Sequence, residues 1–271
     1  MTKLILAFAA TAVIGLHSTS AYSQTDPIQP TPDELALAPL LDLRGGGEAT
    51  GAAQGTGPTQ GGLLNGTLIP SVGNGFKSVS GESSRWAAGI MSSLLINSGP
   101  VLANQYPGLT LMIGGIAQQN GGPYGPHKSH QNGLDADVLF VGAKNYDSVL
   151  DKDGHVTDRF DYEKNWFYWR LITSQQIRNG KKQGSAVSMI LVDPRLKTAI
   201  CAWAKAREST LDSLDYEVLK TLRPTEGHDD HFHIRLHCSP FYASCLDQGF
   251  GAVKKITGCS EFDSGALIAQ P

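Results

Sequence analysis

The sequence predicts an α+β domain, a mainly antiparallel sheet flanked by helices, and three observations carry this. Two segments, "LDADVLFV" (134–141) and "HFHIRLHC" (231–238), alternate apolar and polar residues with the period of a strand. Between them, "EKNWFYWRLITSQQIRNG" and "PRLKTAICAWAKARE" carry helical patterns. Strands and helices interleave irregularly, and short turns join some of them. The 271 residues allow one large domain or two small ones, with a core that needs no help from metal or disulfides.

Taken in chain order, Lys3 precedes an apolar run from Leu4 to Leu16, and small residues suited to cleavage follow at Ala21 and Ser23. Residues 1–23 are therefore expected to be a secretory signal peptide, because the run is shorter than the ~20 apolar residues that span a bilayer. No transmembrane anchor is expected in the mature chain. Residues 24–67, centred on "RGGGEATGAAQGTGPTQGG", read as a loose Gly/Pro-rich arm, since they cannot bury enough apolar surface to offset their ordering entropy. Order is expected to begin at "SSRWAAGIMSSLLINSG", as a helix capped by Ser83 or Ser84 and stopped by Gly99, with Trp86, Ile90, Leu94 and Leu95 at helical spacing. A strand at "LTLMIGGIA" follows, then a Gly/Pro-rich loop, 119–133, that delivers His127 and His130.

The strand 134–141 is expected to be half-buried, with Leu134, Ala136, Val138 and Phe140 on one face and Asp135 and Asp137 on the other. Residues 163–180 read as a helix ending at Gly180. "AVSMILVD" reads as a buried strand, and residues 194–208 as a helix with Pro194 in its first turn. In the last strand Phe232, Ile234 and Leu236 face one way and His231, His233, Arg235 and His237 the other, with His228 at its entrance.

Four of the eight histidines lie between 228 and 237, and two more in "HKSHQNGLDAD" beside two aspartates. An isolated histidine is usually a satisfied surface or core residue, but clustering of this kind points to a metal. Imidazoles with a single carboxylate suit zinc, whereas Ca²⁺ or Mg²⁺ would demand oxygen ligands. Three protein ligands leave a position for water, and zinc makes attack on an amide feasible at neutral pH if a nearby base handles the proton. HExxH and GxSxG are absent. A net charge of −3 without a basic stretch in the mature chain argues against nucleic acid. The four cysteines, Cys201, Cys238, Cys245 and Cys259, would form two disulfides in an oxidising compartment, with three connectivities open.

"SHQNGLDAD" followed by "HDDHFHIRLHC" resembles the penicillin-insensitive murein endopeptidase family, a branch of the zinc peptidases that include lysostaphin-type enzymes and D-Ala-D-Ala peptidases. The resemblance implies that His130, Asp137 and His233 hold Zn²⁺, that His127 also contacts metal, and that His231 and His228 are active-site histidines. Either of the last two could be the general base. Carboxypeptidase relatives place a glutamate base close before the zinc-binding HxH; "EGHDDHFH", with Glu226 and His228, departs from that pattern and favours an endopeptidase. The family's auxiliary-metal element, Asp-Gly-x-His, has a counterpart in "DKDGHV", with Asp153 and His155 one residue tighter, a pattern that a bare turn with solvent-facing polar residues explains better than a second metal site. The family's disulfide pattern implies Cys238–Cys245 and Cys201–Cys259. Asp135, on Asp137's strand face, matches no ligand position and is expected to hydrogen-bond a metal-bound histidine.

The reading implied by these matches is that residues 68–271 form a periplasmic zinc murein endopeptidase domain whose sheet carries the zinc site. Its substrate and partner would be peptidoglycan, cut at the D-alanyl-meso-diaminopimelyl cross-link, and a homodimer is compatible with the sequence. The competing readings are a D,D-carboxypeptidase, a hydrolase aimed at another cell's wall, and a non-catalytic murein-binding module.

Overall fold

The computed structural model describes residues 51–57, 59–125, 127–179, 182–247 and 257–263; the expected signal peptide and the arm up to residue 50 lie outside them. At its centre is a seven-stranded sheet. In chain order its strands are Val72–Gly73 (β1), Phe76–Ser78 (β2), Leu111–Ile113 (β3), Asp135–Leu139 (β4), Val187–Val192 (β5), Leu222–Pro224 (β6) and His231–Leu236 (β7). In space they run β6-β5-β7-β4-β3-β2-β1. Pairing is antiparallel except between β5 and β6 and between β2 and β3, so the sheet is mainly antiparallel as expected.

The pairing of β7 with β4 places the site. His233 lies opposite Asp137 and Arg235 opposite Asp135, and directly opposed residues project from the same face. One face of the two central strands therefore carries His231, His233, Arg235, Asp135 and Asp137. The other carries Ala136, Val138, Phe232 and Ile234, none of them exposed.

Four helices gather on that apolar face: Gly89–Gln105 (α1), Tyr162–Thr173 (α2), Pro194–Lys205 (α3) and Ser213–Thr221 (α4). Tyr168 and Trp169 of α2 pack on Phe232 with ring centroids 5.9 and 5.8 Å away. Burying each such ring stabilises the fold by about 1.5–3 kcal/mol. The other helices join α2: Ser98 of α1 hydrogen-bonds Tyr168, Trp203 of α3 stacks on Tyr162, and Asp215 of α4 accepts from Trp166 Nε1. Their starts are written in the sequence. Asp161, Asp193 and Asp212 each accept a hydrogen bond from a first-turn backbone N–H, and Pro194 follows its cap.

Several boundaries differ from expectation, each for a physical reason. α1 begins at Gly89 rather than after Ser84, because Trp86–Ala87 pairs with Thr67–Leu68 as a strand. It also runs through Gly99 and Pro100 to Gln105. Gly99 serves packing instead of stopping the helix: a Cβ there would meet Asn74 O at 2.8 Å, so its absence lets the β1–β2 turn lie against the helix. α2 stops at Thr173, and Gln176–Asn179 turns back on Lys182–Ser185, so the Asn-Gly hairpin signal outweighs the helical pattern; the expected stop, Gly180, lies outside the described residues. β4 is buried at every position rather than half-buried, since loops cover its polar face. Residues 51–64, within the segment whose composition reads as loose, form a hairpin that pairs Ala52–Gly55 with Gly61–Leu64 and buries Ala52, Ala53 and Leu63. β1, β2, β6 and α4 were not foreseen; all are short.

The disulfides are Cys201–Cys259 and Cys238–Cys245, the pairing that the family resemblance implies.

Candidate active site

β4, β7 and the loop before β4 bring the two histidine clusters together. Three imidazole nitrogens converge on one carboxylate oxygen: His130 Nε2, His233 Nδ1 and His231 Nε2 lie 3.3, 3.2 and 3.5 Å from Asp137 Oδ1. His127 Nδ1 lies 3.9 Å from Asp137 Oδ2. Donor atoms of His127, His130 and Asp137 all fall within 4.8 Å of one another.

Local structure explains how each group arrives. His130 has φ of +66°, a left-handed conformation costly for a side-chain-bearing residue, in the turn that enters β4. Neighbouring contacts hold that turn. Asn132 Oδ1 accepts from Leu134 N, Gly133 O from Ala88 N at the start of α1, and Gln131 O from Gly122 N. The loop bearing His228 and His231 is tied down by Val149 N donating to Asp229 O, Ser148 to the Asp229 carboxylate, and Asp193 N to His228 O.

Tautomers follow from the hydrogen bonds. His130 Nδ1–H donates to Ile116 O at 2.7 Å, which leaves Nε2 as the lone-pair nitrogen. That atom is buried with no hydrogen-bond partner among the described residues. His233 Nε2–H donates to Asp135 Oδ1 at 2.6 Å, and in the neutral ring this leaves Nδ1 as the lone-pair nitrogen, 3.2 Å from Asp137 Oδ1. With both rings neutral, two lone-pair nitrogens face a carboxylate oxygen in a buried space, so the cluster calls for positive charge, supplied by protons on the imidazoles in the metal-free protein or by a metal ion among them. Ligand atoms about 2.0–2.1 Å from a tetrahedral ion are about 3.3 Å apart, the separation seen here. His127, His130 and Asp137 form the group whose donor atoms all lie within 4.8 Å of one another, and His233 joins it through Asp137 at 3.2 Å, so the four together suit a metal.

Asp135 makes the histidine hydrogen bond expected of it: completely buried, it holds His233 and also Arg235, whose Nε donates to the same oxygen at 2.7 Å. Charges reflect this packing. Burial pushes Asp137 up, but the imidazoles of His130, His231 and His233 hold it well below the usual carboxylate range. Asp135, also opposed by burial, is drawn to about 2 by His233 and Arg235. Burial and neighbouring His130 lower His127. Burial and neighbouring His231 likewise lower His228, whose Nδ1 faces Thr225 O and Glu226 O. Burial opposes charge on His231, yet Asp137 and Asp230 lift it to about 9. The rings of His228 and His231 are 5.1 Å apart.

Three contributors escaped the sequence reading. Asp230 Oδ1 accepts from His231 Nδ1 at 2.5 Å and aims Nε2 at the cluster; its place in "HDDH" was the available signal. Tyr124 stacks on His127 at 4.9 Å, and Tyr146 meets His231 edge-on at 5.7 Å. Burial, Asp137 and Asp230 raise the Tyr146 phenol to about 12. No motif marks either tyrosine.

Asp153 and His155 lie apart from this cluster. With Asp151 they bring donor atoms within 4.8 Å, all exposed, around a turn in which Asp151 Oδ1 accepts from both Asp153 N and His155 N. Among the described residues no helix is long and apolar enough to cross a membrane.

Residues 55–266 match the family described as penicillin-insensitive murein endopeptidase. Proteins of that name include one from Haemophilus influenzae, 33% identical over 144 residues that cover 51% of this chain and 47% of the relative. Relatives from Klebsiella pneumoniae subsp. pneumoniae and Yersinia enterocolitica serotype O:8 are 28% and 27% identical over 152 and 162 residues, each covering 51% of this chain and 49% of the relative. The alignments thus span about half the length of these curated relatives.

Proposed function

The chain belongs to the penicillin-insensitive murein endopeptidase family, and from that premise we propose that it is a zinc-dependent D,D-endopeptidase of the periplasm, cutting D-alanyl-meso-diaminopimelyl cross-links of peptidoglycan. The observation that carries the metal is the orphaned, buried Nε2 of His130, aimed with His233 Nδ1 at Asp137.

His130, Asp137 and His233 would hold the ion, with His127 as an added contact. The chemistry zinc supplies when bound is Lewis acidity, which polarises a carbonyl and acidifies water. The chain's own residues do the rest. His231, oriented through Asp230, presents Nε2 to the cluster; Asp137 and Asp230 hold it protonated in the metal-free protein, and a cation engaging Asp137 would weaken that hold, so that Nε2 can take a proton from the attacking water and return it to the leaving amine. His228, alongside at 5.1 Å between ring centroids, is held to backbone carbonyls through Nδ1 and lines the approach to His231. Asp135 keeps His233 in the tautomer whose Nδ1 faces Asp137.

Carboxypeptidase relatives place a glutamate base close before the zinc-binding HxH, whereas Glu226 stands further upstream and is exposed. Here the imidazole of His231 occupies the reaction face instead, which favours internal cleavage. We read the 151–155 turn as structural, its polar atoms being tied to one another. Export rests on the Lys3-led apolar leader.

Purified mature protein should release monomeric muropeptides from cross-linked murein and stop doing so in EDTA. Loss of terminal D-alanine without cross-link cleavage would instead show a carboxypeptidase, and binding to murein without turnover at full zinc occupancy a non-catalytic module.

A further inference from the structure

Two glycines stand beside the candidate metal ligands. Gly114 N donates to Asp137 O, and Asp137 N donates to Gly115 O, so the chain beyond β3 continues the ladder alongside β4. A Cβ at Gly114 would meet Tyr146 Oη at 2.2 Å and Asp137 Cβ at 3.0 Å. The place of the missing side chain is therefore taken by the hydroxyl of Tyr146, on the sheet face that carries Asp137. Gly115 does the same less tightly for Tyr124, whose Oη would lie 3.3 Å from its Cβ.

The two phenols differ in what they adjoin. Tyr124 lies flat on His127, with the planes 14° apart. Tyr146 instead stands edge-on to His231, the residue assigned to proton transfer, and is 44% exposed, so that substrate can reach it. Ser80 adjoins the phenol and opposes the rise in its pKa. A phenol hydroxyl both donates and accepts, so the O–H of Tyr146 can serve an acceptor that enters the site. The nearby imidazole N–H groups are already engaged, His130 by Ile116 O, His233 by Asp135 and His231 by Asp230.

We propose that Tyr146 is a catalytic residue, its hydroxyl donating a hydrogen bond to the carbonyl oxygen of the scissile amide as negative charge develops there. This rests on the reading of the site as an amide hydrolase. As the water oxygen bonds to the carbonyl carbon, the C=O π pair moves onto the carbonyl oxygen, and His231 takes the water's proton. When the C–N bond breaks, the pair on oxygen re-forms C=O, and that proton goes to the leaving nitrogen. Tyr146 keeps its proton throughout. A fixed donor aimed at developing charge acts on the transition state more than on the bound substrate.

The test is Tyr146→Phe in the zinc-loaded protein, with a cross-linked muropeptide dimer as substrate and a phosphinate analogue of the tetrahedral intermediate as ligand. Removing one such donor should lower kcat by about 100-fold with KM within about twofold. Affinity for the phosphinate should fall by a factor similar to kcat/KM, while affinity for uncleaved dimer, compared in a His231→Ala background, stays unchanged. A variant with kcat within about threefold of wild type overturns the assignment and leaves the endopeptidase reading standing, as does unaltered phosphinate affinity. Wild-type protein that does not cleave the dimer overturns both.

Discussion

Asp135→Asn is the perturbation whose consequences the structure specifies most fully. Asp135 is 0% exposed, and its Oδ1 is shared by His233 Nε2 at 2.6 Å and Arg235 Nε at 2.7 Å. Its Oδ2 is buried without a hydrogen-bond partner among the described residues. The substitution removes the charge that faces Arg235 and His233 and puts an amide NH₂ either where no acceptor exists or against two donors. The first arrangement costs about 1–3 kcal/mol. Lowering of the carboxyl from its ordinary 3.8 to about 2 corresponds to about 2 kcal/mol of stability in the metal-free protein. Because the folded-state value is the depressed one, that contribution is present above about pH 4 and fades as pH falls towards about 2. Urea unfolding of metal-free Asp135→Asn should therefore show a loss of about 2–4 kcal/mol at pH 7 that narrows in acid. With His233 no longer held in one tautomer, zinc affinity measured against a competing chelator should drop about 10–100-fold. An unchanged urea midpoint at pH 7 together with zinc affinity within about twofold of wild type would refute the role given to Asp135.

Other perturbations separate the helical layer from the site. Arg170 bridges Asp212 and Asp215, so Arg170→Met strands the nearly buried Asp215 and should cost about 3–5 kcal/mol in denaturant while leaving zinc content unchanged. Of the disulfides, Cys201–Cys259 closes 58 residues and Cys238–Cys245 only 7, so paired alanine substitutions should cost about 4 and about 2 kcal/mol respectively in the same assay. Asp230→Ala frees His231 Nδ1 and should lower kcat by about 10–100-fold with zinc content intact; unaltered kcat would remove Asp230 from the mechanism.

The site was more legible in the sequence than the fold around it. Asp137, His231 and His233 stand out because strand alternation and residue chemistry agree, the period-2 pattern that buries Phe232 and Ile234 also aligning the histidines, whereas His130, in the loop before β4, was singled out by the family resemblance. Asp135 was found by the same alternation. What stayed hidden depends on contacts distant in sequence. Gly99 and Pro100 look like a helix end, and only the approach of the β1–β2 turn shows why the helix continues past them. Gly114 falls within the expected strand "LTLMIGGIA", and nothing local shows why it is a glycine until Tyr146 is seen in its space. Ser213–Thr221 carries a capping box, Asp212 with Asp215, a local signal that the reading passed over. Composition described residues 51–64 as loose, yet Ala52, Ala53 and Leu63 are buried in the core, a few apolar residues that an average over the segment dilutes.

The central claim is that His130, Asp137 and His233 hold a zinc ion without which the cross-link is not cut. Its most direct test is to strip the mature protein with a chelator and titrate zinc back while following cleavage of a D-alanyl-meso-diaminopimelyl cross-linked dimer. Cleavage should be absent in the stripped protein, return in proportion to zinc bound, and fail to return in His130→Ala. Full cleavage by the metal-free protein, or zinc-dependent recovery in His130→Ala equal to wild type, would contradict the account.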